Sequence, residues 1–220
     1  MKNTSLLTKD HLPGSDIYLY QAKDMFRMNT DSHLLGEFMT VKSNETVLDI
    51  GVNNGVLLLY AYRFKPKFMV GVDIQEEACE IAKTNMAFHQ IENAEIYCAN
   101  ITEFEYTPVD VIVCNPPYFQ EQDSSANEKI RIARDATYLP MDELFQAIGR
   151  LLNEKGRCYM IHRVSRLNEL YMALLANGLN IRQLTMIYHE NHDYAHGILV
   201  EIVKGKKVHL KVNAPIWNKR

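Results

Sequence analysis

Short apolar runs alternate with amphipathic stretches along most of the chain. Seven runs rich in β-branched residues predict strands, at residues 46–50, 68–73, 94–98, 109–114, 157–161, 181–189 and 197–203. Four stretches with apolar residues at helical spacing predict helices, at residues 56–64, 75–89, 142–152 and 165–176. Residues 153–156 (NEKG) are expected to stop the third of these helices before the fifth strand.

This alternation of strand and helix predicts an α/β fold, Rossmann-like and doubly wound around a mostly parallel seven-stranded sheet. A polar turn joins the last two strands, so we expect the sheet to finish in a C-terminal antiparallel hairpin. In such a sheet, ligands bind at the carboxyl ends of the parallel strands. The polar stretch at residues 119–138 is longer than an ordinary connection and predicts a functional or mobile loop.

Composition narrows the class of protein. A length of 220 residues fits one domain with an apolar core. The four cysteines are scattered without a C-x-x-C pair, which indicates reduced thiols and excludes a cysteine zinc site. The longest apolar runs, such as residues 55–62, fall far short of the ~20 residues that cross a bilayer, and residues 1–10 lack a signal-peptide apolar region.

Charge alone argues against a protein that coats nucleic acid, because the formal net charge is −3. Lysine and arginine are nevertheless concentrated towards the end of the chain, from Lys204 to Arg220. A local basic face of this kind can bind phosphates despite an acidic total.

A glycine turn follows the first strand, in the sequence VLDIGVNNG at residues 47–55. A dinucleotide fingerprint would need glycine at the positions of Asn53 and Val56, so a pyrophosphate site is disfavoured. Asp49 precedes Gly51 and Gly55, where a carboxylate suits a ligand that carries an amine. A tight strand-to-helix turn with no ligand is the plainer alternative.

The ends of the next two strands add a second set of ligand-binding candidates. Asp73 ends its strand, where an acid can accept from both hydroxyls of a ribose, and Ile74 offers an apolar face for a purine. Asn100 can accept from an adenine amine, although an asparagine of a simple turn is an equal alternative. Ile101 is expected to border the same base. Together these residues predict a site for an amine, a ribose and an adenine.

The sequence Asn115-Pro116-Pro117-Tyr118 directly follows a buried strand and is the most informative motif. The two prolines fix the backbone and make a stiff projection at the carboxyl end of the strand. An asparagine amide and a proline carbonyl can both accept from an NH₂ group, while a tyrosine ring stacks on a flat base. A turn that only terminates the strand is the alternative, and the ligand site expected at the same sheet edge disfavours it.

These motifs resemble those of the class I S-adenosylmethionine-dependent methyltransferases. Asp49, Gly51 and Gly55 match the family's first motif, and Asp73 matches the acid of the second. Asn53 replaces the middle glycine, and asparagine tolerates the positive φ that this turn needs. The resemblance implies that Asp49, Gly51, Asn53, Gly55, Asp73, Ile74, Asn100 and Ile101 bind S-adenosylmethionine, and that Asn115, Pro116, Pro117 and Tyr118 are catalytic.

Asn-Pro-Pro-Tyr marks the members of this family that methylate planar amino groups. Residues 20–31, 132–135 and 161–167 resemble segments of the bacterial tRNA (adenine-N6) methyltransferases that act beside the anticodon of a valine tRNA. The resemblance covers about residues 16 to 205 and implies an enzyme with a tRNA substrate. From the reduced thiols we expect a cytoplasmic protein. We expect no membrane segment and no bound metal, and the sequence points to no obligatory protein partner and leaves the oligomeric state open.

Within this resemblance we expect one methyltransferase domain over residues 1–220. Residues 1–44 are expected to cap the substrate or cofactor, 45–205 to form the catalytic core and 206–220 to form a basic tail. A methyltransferase of guanine N2 in ribosomal RNA or of a protein glutamine amide is an alternative function. A nucleotide-binding module without catalysis is an alternative from another class, which the intact Asn-Pro-Pro-Tyr disfavours.

Other residues have both a functional and a plainer interpretation. Arg134, Arg163, Lys206 and Lys207 are candidates for contacts with RNA phosphates. Asp31 can contact the cofactor or serve only as a first-turn acid of a helix. The three histidines at residues 189, 192 and 196 stand among polar residues. Those at 189–196 predict a polar or RNA-facing loop rather than a metal site, and Trp217 predicts a packing anchor.

Overall fold

The computed structural model describes residues 7–22, 27–116, 139–190, 192–205 and 207–218. Its strands are β1 (Leu7–His11), β2 (Tyr18–Ala22), β3 (Thr46–Ile50), β4 (Phe68–Asp73), β5 (Ala94–Cys98), β6 (Val109–Cys114), β7 (Leu152–Arg163), β8 (Leu179–His189), β9 (Ala195–Lys204), β10 (Lys211–Val212) and β11 (Ile216–Asn218). Its helices are α1 (Thr30–Phe38), α2 (Val56–Tyr62), α3 (Glu76–Phe88), α4 (Met141–Leu151) and α5 (Leu167–Ala176), and a 3₁₀ turn at Val164–Arg166 precedes α5.

A central sheet has the strand order β10-β8-β9-β7-β6-β3-β4-β5, and β11 also pairs with β8. Strands β3 to β7 are parallel, whereas β9 is antiparallel to both β7 and β8. The α/β fold with a mostly parallel sheet and a C-terminal hairpin is therefore confirmed. The seven expected strands form the body of this sheet, and the short strands β10 and β11 lie beside β8 at its margin.

The strand order reverses at β3, which pairs with β4 on one side and β6 on the other. The chain passes from β3 through β4 to β5 and then returns to β6 across β3. Such a switch point opens a crevice at the carboxyl ends of the two central strands. The glycine turn follows β3 and the Asn-Pro-Pro-Tyr sequence follows β6, so the fold brings the two predicted motifs to one crevice.

Two apolar layers cover the two faces of the sheet. On one face, α4 and α5 pack with Phe145, Ile148 and Leu174 against the strands. On the other, α1 and α2 pack with Leu35 and Leu58. Both faces are covered, which explains why the central strands are continuous apolar runs rather than alternating ones.

Several predicted element boundaries are wrong by a few residues, including the starts of β8 and β9, which each lie two residues earlier than expected. Helix α2 ends at Tyr62 rather than at residue 64, and α5 begins at Leu167 after the 3₁₀ turn. Strand β7 begins at Leu152 directly after α4, so residues 153–156 do not form a separate helix stop. They belong instead to an irregular start of β7, where the pairing with β6 shifts register between Val109 and Val111.

The N-terminal strands β1 and β2 form an antiparallel two-stranded sheet that the sequence pattern did not predict. Asn85 of α3 holds this hairpin in place, since its Oδ1 accepts from the backbone N–H of Tyr20 at 2.6 Å and its Nδ2 donates to the Tyr20 carbonyl at 2.9 Å. Asn85 is fully buried. Among the described residues, no helix is long and apolar enough to cross a membrane.

A buried ion pair ties the loop after α1 to β7. Arg157 donates from Nη1 and Nη2 to the two carboxylate oxygens of Glu45, at 2.9 and 2.8 Å. Nη2 also donates to the Thr40 carbonyl at 2.7 Å, and Nε donates to the Tyr159 hydroxyl at 2.9 Å. Burial by itself would raise the pKa of Glu45, but the hydrogen bonds from Arg157 and from the Lys42 N–H, together with the charges of these two residues, outweigh burial and lower the pKa.

The Glu45→Ala substitution is expected to lower the free energy of unfolding by about 3–5 kcal/mol, because it leaves the Arg157 charge buried without its partner. Urea unfolding at pH 7 measures the change. Glu154→Ala is the matched control: Glu154 pairs with Lys204 at 2.9 Å but is 86% exposed, so we expect a loss of less than about 1 kcal/mol. Equal losses in the two variants would contradict this account of the Glu45 pair.

Candidate active site

A cavity of about 570 Å³ lies at the carboxyl edge of the parallel strands. Its lining includes Ile50 of β3, Asp73 of β4, Cys114 of β6 and Met160 of β7. Residues of α1 and α4 complete the lining. The cavity therefore occupies the crevice at the switch point, and its volume suits a ligand of the size of a nucleoside with a short side chain.

The glycine turn after β3 bends sharply towards β4. The backbone N–H groups of Gly51 and Val52 both donate to the Val72 carbonyl, at 2.8 and 3.0 Å. Gly51, Asn53 and Gly55 have left-handed φ values of 76°, 47° and 79°. Asn53 thus adopts the positive φ expected when it replaces the middle glycine, because asparagine enters this region more readily than other side chains.

Asp73 holds the glycine turn from the neighbouring strand. Its Oδ2 accepts from the Asn53 N–H at 2.9 Å, and its Oδ1 accepts from the Gln75 N–H at 3.0 Å. Burial raises the pKa of Asp73, and the backbone hydrogen bonds partly offset that rise. Asp73 lines the cavity. The Asp73 carboxylate therefore fixes the glycine turn and is also placed to accept hydrogen bonds from the hydroxyls of a ribose in the cavity.

Ile74, Asn100 and Ile101 lie together on the part of the cavity beside β4 and β5. Ile74 is 50% exposed, which leaves an apolar surface open to the cavity. The Asn100 Oδ1 accepts from the Thr102 N–H at 3.1 Å, so this asparagine has the turn role that was its alternative interpretation and also lines the cavity. An apolar side chain beside an amide is suited to an adenine ring.

Asp49 lies behind the turn rather than on the cavity surface, where Ile50, Gly51 and Val52 follow it. Its side chain is 1% exposed, and neither carboxylate oxygen has a hydrogen-bond partner among the described residues. Burial raises the pKa of Asp49 well above its usual range, and the nearby Asp73 raises it further. A buried acid without a partner is costly unless a cation approaches it.

Asn115 and Pro116 stand at the end of β6 and line the cavity. The Asn115 Nδ2 donates to the Ser32 Oγ at 3.4 Å, and the Ser32 hydroxyl donates to the Asn29 Oδ1 at 3.1 Å. Because Nδ2 is directed to Ser32, the orientation of the amide is defined and Oδ1 is its acceptor atom. Pro117 and Tyr118 lie outside the described residues.

Two residues that were not predicted as functional support these two motifs. Gln21 of β2 is 2% exposed; its Oε1 accepts from the Asn54 Nδ2 at 2.8 Å and also from the Met28 N–H. Ser32 supports Asn115 in the same way from α1. The only local signal is Asn29, an N-cap asparagine whose Oδ1 accepts from the Ser32 N–H at 2.9 Å.

The predicted basic contacts separate into two groups. Arg163 lines the cavity together with Arg166. Lys207 follows Gly205, whose N–H donates to the Gly178 carbonyl beside the start of β8. That end of β8 is opposite the cavity, because β9 runs antiparallel and carries the chain away from the site. Lys207 is therefore not brought to the cavity, and Arg134 and Lys206 lie outside the described residues.

Two further titratable groups line the cavity. Asp31 lies in the first turn of α1, so both of its interpretations fit its position. His162 of β7 is 4% exposed, and burial lowers its pKa to about 4. The His162 ring is consequently uncharged at neutral pH.

A family model described as "Methyltransferase domain" matches residues 41–212, which is most of the chain. Solved structures are similar to it over most of their length. A ribosomal protein L11 methylase from Lactobacillus delbrueckii subsp. bulgaricus is 20% identical with a TM-score of 0.58, covering 80% of this chain and 77% of that one. The M. jannaschii TYW2 in complex with AdoMet is 11% identical with a TM-score of 0.62, covering 93% and 89%. The chain belongs to the methyltransferase domain family, and its fold is that of a class I methyltransferase.

Curated relatives identify a narrower family. The tRNA1(Val) (adenine(37)-N6)-methyltransferase of Phocaeicola vulgatus is 31% identical over 173 residues, which cover 77% of this chain and 74% of the relative. The enzyme of the same name from Dyadobacter fermentans is 28% identical over 210 residues, covering 93% and 87%. This chain belongs to the same family as these enzymes.

The cofactor of this protein is S-adenosylmethionine, and the observed residues fit it. The positive charge of its ammonium group suits the buried Asp49 carboxyl, whose oxygens have no hydrogen-bond partner among the described residues. Its ribose hydroxyls suit the Asp73 carboxylate, and its adenine ring suits the apolar surface of Ile74 beside Asn100.

Gly51 lines the cavity in a left-handed conformation and carries no Cβ, which lets a ligand approach the turn closely. Six of the eight predicted cofactor residues line this cavity. Asp49 lies directly behind it, and Gly55 faces Ala82 and Met86 of α3 instead.

Asp49→Asn is expected to make the ligand-free protein more stable than the wild type at pH 8, by about 1.4 kcal/mol for each unit by which the pKa of Asp49 is raised. A raised folded-state pKa means that the contribution of Asp49 to stability is complete in acid and is lost as the pH rises through that pKa. The difference between the variants should therefore shrink towards pH 4. Urea unfolding across this range measures it, and a difference that does not change with pH would contradict the assignment.

Proposed function

We propose that this protein transfers a methyl group from S-adenosylmethionine to the N6 amine of an adenine in tRNA, near the anticodon. The observation that carries the proposal is the position of Asn115 and Pro116, at the end of β6 and on the same cavity as the glycine turn of β3. The relatives named for adenine-37 methylation of a valine tRNA support the choice of substrate. We also propose a cytoplasmic location, where tRNA is modified.

The chemistry needs an acceptor for the amine and a fixed geometry. The cofactor supplies a methyl group bonded to a positively charged sulfur, and the neutral thioether that remains is a good leaving group. The Asn115 Oδ1 and the Pro116 carbonyl accept from the two N–H bonds of the adenine amine and so direct its lone pair towards that methyl group. Ser32 fixes the Asn115 amide so that the acceptor is preorganised. The proton of the amine leaves after the transfer, so no strong base is required.

The remaining assignments concern binding. Asp73 accepts from the ribose hydroxyls, Asn100 and Ile101 border the adenine of the cofactor, and Asp49 attracts its ammonium group from behind the turn. Tyr118 and Pro117 complete the motif, and Arg163 contacts an RNA phosphate. A target base must leave its stack to enter a cavity of this size, so we infer an unpaired or flipped adenine.

Labelled S-adenosylmethionine tests the function directly. The protein is incubated with unmodified tRNA, with ribosomal RNA or with protein extract, and the labelled nucleoside is identified by mass spectrometry. We expect N6-methyladenosine in tRNA. Label in guanine N2 of ribosomal RNA or in protein glutamine would instead support one of the alternative acceptors, and no label with any acceptor would favour a module without catalysis.

Asp73→Asn is expected to weaken S-adenosylmethionine binding by roughly 10- to 100-fold, because hydrogen bonds to a charged acceptor are worth about 1.5–3 kcal/mol. Calorimetric titration measures the affinity. Asp110→Asn is the matched control, since the Asp110 carboxylate also accepts two hydrogen bonds, from the Thr46 N–H and the Asn153 Nδ2, both at 2.9 Å. Asp110 lies at the start of β6, away from the cavity. Equal affinities in both variants would remove Asp73 from the ribose role.

Asn115→Ala is expected to lower kcat by roughly 100- to 1,000-fold, as the loss of one preorganised polar contact does in other enzymes. The affinity for S-adenosylmethionine should stay within about twofold of the wild type. Single-turnover methylation of tRNA measures the rate.

Ser32→Ala tests the positioning of Asn115 separately. It keeps Asn115 but removes the oxygen to which its Nδ2 donates, so we expect a smaller fall in kcat, about tenfold, with an unchanged KM for S-adenosylmethionine. An unchanged kcat in Asn115→Ala would remove Asn115 from the reaction. An unchanged kcat in Ser32→Ala alone would remove only the positioning role.

A further inference from the structure

The turn between β8 and β9 lies at the same edge of the sheet as the cavity. In the antiparallel register, Arg163 of β7 is opposite Gly197 of β9, and Tyr188 of β8 is opposite Ala195. Arg163 itself lines the cavity. A nucleic acid that places one base in the cavity would therefore pass close to this turn.

Aromatic rings are concentrated at this turn, and we call them the aromatic rim. The rim consists of Tyr188, His189, His192, Tyr194, His196 and Trp217. The rings of His189 and His196 stack in parallel, with centroids 3.6 Å apart and planes 4° apart. The His192 ring lies 5.8 Å from that of His189 and 5.3 Å from that of Tyr194. The rings thus follow one another around the turn.

The C-terminal part of the chain adds a tryptophan to this edge. Strand β11 runs parallel to β8 and places Trp217 opposite Tyr188, where the two rings stack with centroids 4.8 Å apart and planes 29° apart. Trp217 was expected to be a packing anchor, but it is 55% exposed. Strand β11 and the Tyr188 ring hold Trp217 in place, while much of its ring stays open to solvent. A tryptophan in this setting can stack on a ligand.

The rim presents large, flat ring surfaces to a ligand. Tyr194 is 66% exposed and Trp217 is more than half exposed, so large ring surfaces are available. Burial, together with the charges of His189 and Arg163, lowers the pKa of His196, while Asp31 acts in the opposite direction. Among the described residues, no group of three acid, histidine or cysteine side chains is placed to hold a metal ion. Nucleobases stack on exposed aromatic faces of this kind.

The charges beside the rim complete a surface for RNA. Arg163 and Arg166 line the cavity, and Arg166 also pairs with Glu169, its Nε donating to Oε2 at 2.8 Å. Guanidinium groups bind phosphates, while the aromatic side chains next to them can hold the attached bases. A peptide has neither a phosphate at every residue for the guanidinium groups nor a regular row of flat bases for the aromatic rings, so RNA fits this surface better.

We propose that the aromatic rim binds the unpaired RNA nucleotides next to the target adenine by stacking, with Trp217 and Tyr194 as its main contacts. The inference rests on the proposed RNA substrate, and it identifies a substrate-binding surface on the catalytic domain itself. It also gives the end of the chain a role, since β10 and β11 return along β8 to the active-site edge.

RNA affinity tests the rim. Trp217→Ala and Tyr194→Ala are each expected to raise the Kd for an unmodified tRNA1(Val) transcript by roughly 5- to 100-fold at one fixed salt concentration, whereas Trp217→Phe and Tyr194→Phe should retain most of the affinity. The Kd for S-adenosylmethionine should not change in any of them. Phe64→Ala is the matched control, because Phe64 is 37% exposed in the turn after α2, at the opposite edge of the sheet, and should leave RNA affinity unchanged.

The outcomes separate this inference from the proposed function. The proposed role of the rim in RNA binding would be contradicted if both alanine variants bound the transcript with wild-type affinity. It would also be contradicted if the wild-type protein did not bind the transcript. Weaker RNA binding in the alanine variants without methylation of adenine would support the rim and contradict the proposed reaction. Tyr194 keeps the test valid even where Trp217→Ala alters packing, because its side chain lies largely in solvent.

Discussion

The tight turn after β3 is the constraint on which the site depends. Its backbone N–H groups converge on the Val72 carbonyl, and its left-handed residues direct the chain into α2 within a few residues. Asp73 then holds the Asn53 N–H from the next strand. These contacts fix where a cofactor can lie, at the point where the strand order reverses. The buried Asp49 behind the turn adds an electrostatic preference for a ligand that carries an amine.

The elements outside the sheet serve to hold this turn and the amide opposite it. Gln21 connects the N-terminal hairpin to Asn54 of the turn and to the chain entering α1. The start of α1 then supports Asn115 through Ser32, so the hairpin, the helix and both motifs belong to one hydrogen-bonded unit. The described part of the N-terminal region therefore helps to set the position of Asn115 at the end of β6.

The sequence predicted the strands β3, β4, β5 and β6 to the residue. Strands β3, β4 and β6 are buried on both faces, so they are continuous apolar runs that end at turn residues, whereas β5 is an edge strand that is only partly buried. The sequence also predicted Asp73 and Asn115, which stand at strand ends where parallel topology brings them together. It could not predict Gln21 or Ser32, whose partners are 33 and 83 residues away. The strands β1, β2, β10 and β11 are short and only partly buried, so they carry little apolar pattern. The displaced start of β7 depends on its pairing with β6 and not on local composition.

A crystal structure of the protein with S-adenosylhomocysteine, the product of methyl transfer, tests the central claim that β3, β4 and β6 bring the cofactor and the amine acceptor together. The account predicts that the ribose hydroxyls lie within hydrogen-bond distance of the Asp73 carboxylate, that the amino group lies on the turn in front of Asp49, and that the sulfur faces Asn115. A ligand whose ribose lies away from Asp73, or whose sulfur is turned away from the end of β6, would contradict it.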